Sequence, residues 1–372
     1  MMKTYLVGGA VRDMIMGLEP KDKDYVIVGA TAEDVEKLIA SGFQRVGADF
    51  PVFLHPETGD EYALARIERK VGVGYNGFEA FTSPDLTIED DLRRRDLTIN
   101  AMAIDLETNE LIDPFGGRED LQRGLLSHVS EAFAEDPLRV LRVARFQARY
   151  GFDIDPNTLA MMVKLIRAGE LDHLTRERIW VEMEKLFSEK HSIDGVTTLF
   201  NVGALDRLFF GKDIGRSMRN VGMMDEEDIE EFEKMNVISK FVKFSMFSDW
   251  TPADMQKMKI PREFQKAHLM HEQIVTSFMH SQFLTPEGLM KFIEDAELLK
   301  TSNTFEDIKD ALAFAVNSLS KGSAEACFAR IDAAVKACLT VDCAAWAAGE
   351  KNGKVIAQKI RNARVSAIWK NW

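Results

Sequence analysis

The chain has 372 residues, 46% of them hydrophobic and 29% charged, with a formal net charge of −13. This composition suits a globular protein of two or three folding units. The acidic balance excludes a protein that coats nucleic acid by bulk charge and leaves only a local basic groove open. Three cysteines, Cys327, Cys338 and Cys343, form no CxxC pair, which argues against a disulfide scaffold or a zinc ribbon. No apolar run reaches the ~18 residues of a transmembrane helix, and MMKTYLVGGAVRD is charged too early for a secretory signal. A cytosolic protein without membrane contact is expected, and nothing points to a protein partner.

In chain order, Tyr5–Val7 and Tyr25–Val28 read as short β runs, the first ending in Gly8-Gly9. Thr31, with Asp34 at the capping-box position, starts a helix running to about Ser41. Pro51–Pro56 and Glu61–Arg66 flank Glu57-Thr58-Gly59-Asp60 as a hairpin. Asp90–Ala103 is expected to be helical, and Leu111-Ile112 a short strand. From Ser130 the pattern turns almost wholly helical: Ser130–Tyr150, Asn157–Ala168 and Thr175–Lys190 repeat apolar residues at spacings of three and four, punctuated by Gly151, Gly169 and Asp172. The last 160 residues or so read as further helices, with breaks at Gly211, Pro252, Pro261, Pro286 and Gly322 and a solvated acidic face at Asp225–Glu233. The expected fold is an α/β head with a small sheet over residues 1–130, a helical neck over 131–210, and a helical body and tail over 211–372. Residues 350–372 mix six Lys and Arg with Trp369 and Trp372. They suit either an RNA backbone with stacked bases or an amphipathic helix that docks its tryptophans.

The chemistry gathers in four places. Gly8-Gly9-Ala10-Val11-Arg12-Asp13 follows a strand and opens a helix, so backbone N–H groups and the Arg12 fork can approach a phosphate. It is neither a GxGxxG fingerprint nor a Walker loop. Asp22 and Asp24, two apart on an expected strand, share a face and suit Mg²⁺, which takes carboxylates together with water and phosphate. Arg93, Arg94 and Arg95 spread over most of a helical turn, so at least one should turn inward toward an anion; surface pairing with Glu89, Asp90, Asp91 and Asp96 is the plainer alternative. Arg139, Arg142, Arg145 and Arg149 share one broad helix face beside Asp136, a stripe whose natural complements are a triphosphate and RNA. Asp136 and Arg139 pair an acceptor with a fork of donors suited to a base edge.

These segments, together with KDKDYVIVG, FPVFLHPETGDEYALAR, EDDLRRRDLTINAMA, DPFGGREDL, EDPLRVLRVARF and LTRERIWVEMEKL, resemble the class II tRNA nucleotidyltransferases, the bacterial-type CCA-adding enzymes, to about residue 205. The resemblance implies CCA addition to tRNA 3′ ends from CTP and ATP. Asp22 and Asp24 would hold metal ions, with Glu61 as a third carboxylate. Gly8, Gly9, Arg12 and Arg95 would bind the nucleotide. Asp136 and Arg139 would template the base, and Arg142 and Arg145 would complete the pocket. Val71–Thr82, with Gly72, Gly74 and Gly77, would be the loop used in switching to A addition.

The chain departs from many such enzymes in having no His-Asp dipeptide among seven histidines, so no HD-type phosphohydrolase site is expected. His268 and His271, three apart, are weak as metal ligands without a third. Rival readings are a poly(A) polymerase of the same superfamily, a CC-only or A-only adding enzyme, and a silent RNA-binding protein.

Overall fold

The computed structural model describes residues 2–46, 52–70, 78–209, 225–245, 250–279, 285–299, 304–319 and 323–371. The chain divides into two compact units, Met1–Gly211 and Lys212–Trp372.

In the first unit the head is a sheet of strand order β3-β4-β5-β2-β1-β8-β9, built from β1 (Lys3–Val7), β2 (Asp24–Val28), β3 (Gln44–Val46), β4 (Val52–Leu54), β5 (Glu61–Leu64), β8 (Ala103–Asp105) and β9 (Leu111–Ile112). Neighbouring strands are antiparallel except β2 and β5, which run parallel. Alternation along β1 and β2 sends Val7 and Val26 to one face, where they pack with Ala65, Leu92 and Ala103. Leu6 goes to the other face, against Ala10, Val11 and Met102. The expected hairpin is present as β4 and β5. A second antiparallel pair, β6 (Arg66–Lys70) and β7 (Phe78–Thr82), was not anticipated from the sequence. The glycine-bearing loop expected from Val71 lies outside the described residues as far as residue 77.

Helix α1 covers Gly9–Ile15, and α2 (Ala32–Ala40) starts at the predicted Thr31–Asp34 capping box. The helix expected over Asp90–Ala103 is shorter. A Thr87–Asp90 capping box starts α3 at Ile88, and the helix ends at Arg93. The chain then makes a 3-10 turn at Thr98–Asn100 and enters β8 at Ala103. Pairing with β1 claims Ala103–Asp105, so tertiary contact overrides a helical local pattern. Helix α4 (Gly117–Arg123) follows. The helix expected from Ser130 begins only at Leu138. Ser130 caps a 3-10 turn at Glu131–Glu135, and Pro137 keeps Asp136 extended, because the residue before a proline is disfavoured in the α region. β-structure also reaches past residue 130: β10 (Leu125–Leu126) pairs in parallel with β11 (Asp153–Ile154).

The neck packs α5 (Leu138–Tyr150) against α7 (Arg176–Ser188) and α8 (Ser192–Asn201), with α6 (Pro156–Arg167) between α5 and α7 in the chain. A Cβ on Gly195 of α8 would fall 2.5 Å from the Ala144 carbonyl of α5, so the close helix approach depends on that glycine.

In the second unit the described residues are helical. The acidic stretch forms the largely exposed helix Glu226–Lys234, capped by Asp225. Pro252 and Pro286 open helices, as proline can at a first turn. Gly211, Gly322 and Trp372 lie outside the described residues. Helix Gly353–Lys370 leaves Trp369 58% exposed and buries Ile368 instead, so the docked-tryptophan alternative does not hold at Trp369.

Helices Val237–Ser245 and Arg262–Met279 bury ionisable groups. Lys240 pairs with Glu233 at 2.9 Å, and the Lys243 ammonium lies over the rings of Phe232 and Phe314. Burial pushes Lys243 down to about 7, against the charges of Asp228 and Glu231. His268 shares a 2.7 Å hydrogen bond with Ser245 Oγ, and burial pushes it down to about 4. His271 is also lowered to about 4, by burial and then by the charges of His268 and Lys243, against a backbone hydrogen bond at Ala311.

Two expectations follow from this packing. The unfolded histidines bind protons at a higher pH than the folded ones, so stability falls as pH drops from about 6.5 to about 4. Urea titrations of the chain across that window should show the loss, and the double substitution His268→Gln and His271→Gln should flatten it. Gly195→Ala should cost about 1–3 kcal/mol through overpacking of α5 against α8, read as a lower urea midpoint.

Candidate active site

Strand β1 ends at Val7 and the chain turns at Gly8, whose φ of 70° and ψ of −130° suit glycine. The Gly8 N–H donates to the Met102 carbonyl at 3.2 Å, and the Gly8 carbonyl accepts from the Arg12 N–H at 3.1 Å, opening α1. A Cβ on Gly8 would lie 2.7 Å from Arg95 Nη1, and one on Gly9 would lie 3.3 Å from Arg12 Nη2. Two guanidinium groups therefore close on the Gly8-Gly9 backbone through space that side chains would fill. Two cations fixed beside a helix start are chemically suited to an anion, although the Gly8 N–H itself is taken by Met102.

The acidic side chains lie on the next strand. Asp24 pairs with Val7 across β1 and β2, and Glu61 stands beside it in the parallel register of β2 and β5. Asp22 sits in a bend before β2, so strand alternation does not place it as the sequence suggested. Its charge does reach Asp24. The Asp24 carboxyl is pushed above the usual carboxylate range, first by desolvation and then by Asp22 and Asp60, against the pull of Arg95. Burial and the neighbouring acids outweigh the Arg95 charge at this carboxyl, and a hard cation bound by Asp22 and Asp24 would supply further positive charge. Among the described residues no group of three or more His, Cys, Asp or Glu is close enough to hold a metal, so Glu61 does not complete a three-ligand cluster. That Asp60 bears on Asp24 was not anticipated.

From Arg12 and Arg95 runs a buried chain of charges. Asp91, with no exposed surface, accepts from Arg94 Nη2 at 2.7 Å and Arg95 Nη2 at 3.2 Å. The inward anion for the arginine triplet is thus an internal aspartate, while Arg93 stacks over Phe115. Arg12, 4% exposed, donates from Nη1 to Asn100 Oδ1 at 2.6 Å and from Nε and Nη2 to Asp13 Oδ1. Asn100 Nδ2 donates to Asp96 Oδ1 at 3.1 Å. Asp96 Oδ2 accepts from Arg142 Nε and Nη2 at 2.8 and 2.7 Å. Burial alone would raise the Asp96 carboxyl. The charge of Arg142, the Asn100 hydrogen bond and the charge of Arg139 outweigh that and hold it far below the usual range. The charge of Asp96 in turn holds Arg142 more firmly protonated. Glu182 of α7 accepts from Arg145 Nε at 2.7 Å and approaches Arg142 Nη1 at 3.9 Å. The arginine stripe of α5 is therefore met in part by carboxylates of the same unit, a partner the sequence reading did not supply.

At the start of α5, Asp136 Oδ1 accepts from the Leu138 N–H at 3.1 Å, and Oδ2 accepts from Arg178 Nη2 at 2.8 Å. Arg139, 8% exposed, donates to the carbonyls of Ala132 and Arg94 at 2.6 and 2.5 Å. The donor to Arg94 ties the neck helix to the segment that carries Arg95. All of the expected site residues fall within the first unit.

Residues 4–127 match the model of the poly A polymerase head domain, and residues 151–213 match a probable RNA- and SrmB-binding region of polymerase A. A multifunctional CCA protein of Acinetobacter baumannii is 58% identical over 211 residues, 56% of this chain and 50% of that protein. The chain thus spans about half the length of the curated relatives it matches. Two solved structures share the fold: a Bacillus stearothermophilus CCA-adding enzyme in complex with CTP and a Thermotoga maritima CCA-adding enzyme complexed with tRNA. The first has a TM-score of 0.70 and 23% identity over all of this chain and 90% of that one. The second has a TM-score of 0.70 and 22% identity over 98% and 87%.

Asn100, Glu182 and Arg178 were given no role by the sequence; Asp91 was expected to pair with the arginines at the surface and does pair with Arg94 and Arg95, but buried. Glu182 left a signal, since it lies among Ile179, Trp180, Met183, Leu186 and Phe187 on the buried side of its helix, where a carboxylate demands a cation. Glu182→Ala should strand the buried Arg145 and destabilise the first unit by about 3–5 kcal/mol, read in a urea titration followed by a probe of that unit.

Proposed function

We propose that the chain is a tRNA nucleotidyltransferase that adds C, C and A to tRNA 3′ ends from CTP and ATP and releases pyrophosphate. One observation carries this reading: Arg12 and Arg95 close on the Gly8-Gly9 backbone, and Arg95 also acts electrostatically on Asp24. In this reading a triphosphate cradle lies beside the acidic pair. The names of the relatives and the shared fold support it. In this reading Gly8, Gly9, Arg12 and Arg95 grip the triphosphate. Asp22 and Asp24 would hold Mg²⁺, which suits an oxygen-only donor set, with Glu61 facing them from β5. Bound there, the cation would activate the attacking hydroxyl and offset charge on the departing pyrophosphate.

The residues of the chain supply position. The tRNA 3′-oxygen attacks the α-phosphorus, the bond to the bridging oxygen breaks, and pyrophosphate leaves in line. Asp136 and Arg139 present an acceptor and a fork of donors to the base edge, each held by neighbours before any ligand arrives. Such preorganisation lets a wrong edge leave buried polar groups unpaired, the basis for admitting C or A and rejecting G and U. Arg142 and Arg145 back this edge through Asp96 and Glu182.

Purified chain incubated with tRNA lacking its CCA end, given each nucleotide singly and then both, should extend the end by C, C and A. Long A tracts from ATP alone would favour a poly(A) polymerase. A alone added to a CC end, or CC alone, would favour the partial enzymes. Asp22→Ala or Asp24→Ala should abolish incorporation while tRNA binding, read by gel shift, persists. Retained incorporation in both variants would sink the assignment of the acidic pair.

A further inference from the structure

Arg12 is fixed in two directions. In its own plane, Asp13 takes Nε and Nη2 and Asn100 takes Nη1. From the aromatic side, the guanidinium carbon lies 5.5 Å from the Phe146 ring centroid and 5.3 Å from that of Tyr150. These rings are one helical turn apart on α5 and parallel within 3°, with centroids 6.2 Å apart. Phe146 is 4% exposed and also carries Arg142 at 5.5 Å and Arg145 at 4.6 Å, while Arg149 lies 5.3 Å from the Tyr150 ring. One aromatic pair therefore stands between the arginine of the Gly-Gly cradle and the arginines of the neck helix. The negative π faces attract each guanidinium and limit where it can move.

We infer that Tyr150, together with Phe146, is a positioning residue for Arg12: its ring holds the guanidinium edge over Gly9, where a nucleotide triphosphate would bind. Arg12 acts from a seven-residue helix at the end of a strand, and hydrogen bonds in one plane leave motion out of that plane open. The aromatic pair supplies the missing constraint, and it supplies it from the same helix that carries Asp136 and Arg139 at its start. The distance between the phosphate end and the base end of the nucleotide is thereby referenced to one rigid element. The Tyr150 hydroxyl is buried with no hydrogen-bond partner among the described residues, so the ring and not the oxygen makes the contact.

This inference rests on the nucleotide-binding reading of Arg12, and the test separates the two. CTP binding in the presence of Mg²⁺ and absence of tRNA is measured by calorimetry, and KM and kcat for CTP with tRNA lacking its end are measured alongside. Two ring-free variants, Tyr150→Leu and Tyr150→Gln, should weaken CTP binding and raise KM roughly three- to thirtyfold, with kcat changed far less. Tyr150→Phe, which keeps the ring, should restore the affinity. In an Arg12→Ala background, Tyr150→Leu should have no further effect, because its effect passes through Arg12. Thermal melting identifies any variant that fails to fold, and the second ring-free variant then carries the comparison. Wild-type affinity in a folded ring-free variant, equal losses in Tyr150→Phe and Tyr150→Leu, or additive losses with Arg12→Ala would each overturn the inference. If Arg12→Ala itself binds CTP as tightly as the unaltered chain, the reading of Arg12 fails instead.

Discussion

Buried arginine is the constraint around which the first unit is organised. Arg12, Arg139 and Arg145 are each less than one tenth exposed. A guanidinium does not shed its proton inside a protein, so every buried one needs acceptors placed in advance. Those acceptors come from separate parts of the chain: Asp13 and Asn100, the carbonyls of Ala132 and Arg94, and Glu182 of α7. Head and neck cannot pack without bringing these groups together. The charge network and the fold of this unit are therefore one arrangement.

The same constraint reconciles an acidic chain with the proposed site for polyanions. Net charge describes the whole chain, whereas binding depends on what faces one cleft. Acids such as Asp91, Asp96 and Glu182 hold the arginines, while the lack of side chains at residues 8 and 9 lets the guanidinium groups of Arg12 and Arg95 approach that backbone closely. The acidic surplus lies in the first unit itself, where 25 Lys and Arg stand against 37 Asp and Glu over residues 1–211, so placement and not local excess sets what the arginines can meet. A site built this way is preorganised: its dipoles and charges are oriented before a ligand arrives, and little reorganisation remains for the reaction.

The second unit follows different physics. Its described core is aromatic and aliphatic, with Phe241 meeting Phe264 edge-on at 5.3 Å and Trp250 at 6.1 Å. Three of its buried ionisable groups, Lys243, His268 and His271, are displaced toward their neutral forms. Here burial wins over charge because no carboxylate hydrogen-bonds to them among the contacts that shift their titration. At Asp91 and Asp96 of the first unit charge wins over burial because their arginine partners are there.

Local signals in the sequence determined what short-range physics controls. The Thr31–Asp34 cap, the hairpin after residue 51, the Gly8-Gly9 turn and the helix opened by Asp155 and Pro156 all depend on neighbours within a few residues, so composition and spacing suffice to read them. The acidic pair and the arginine stripe were visible as residue types. Which partner each would meet was not visible. The Asp90–Ala103 segment reads as helix until β1 claims its end as a strand, and the Ser130–Tyr150 segment reads as helix until Pro137 and the cap at Ser130 break it. Glu182 finds Arg145 across 37 positions of chain, and Asp96 finds Arg142 across 46. Only the tertiary structure decides such pairs, because a charge interacts with whatever packing brings near it, and packing is a property of the whole unit rather than of any window of sequence.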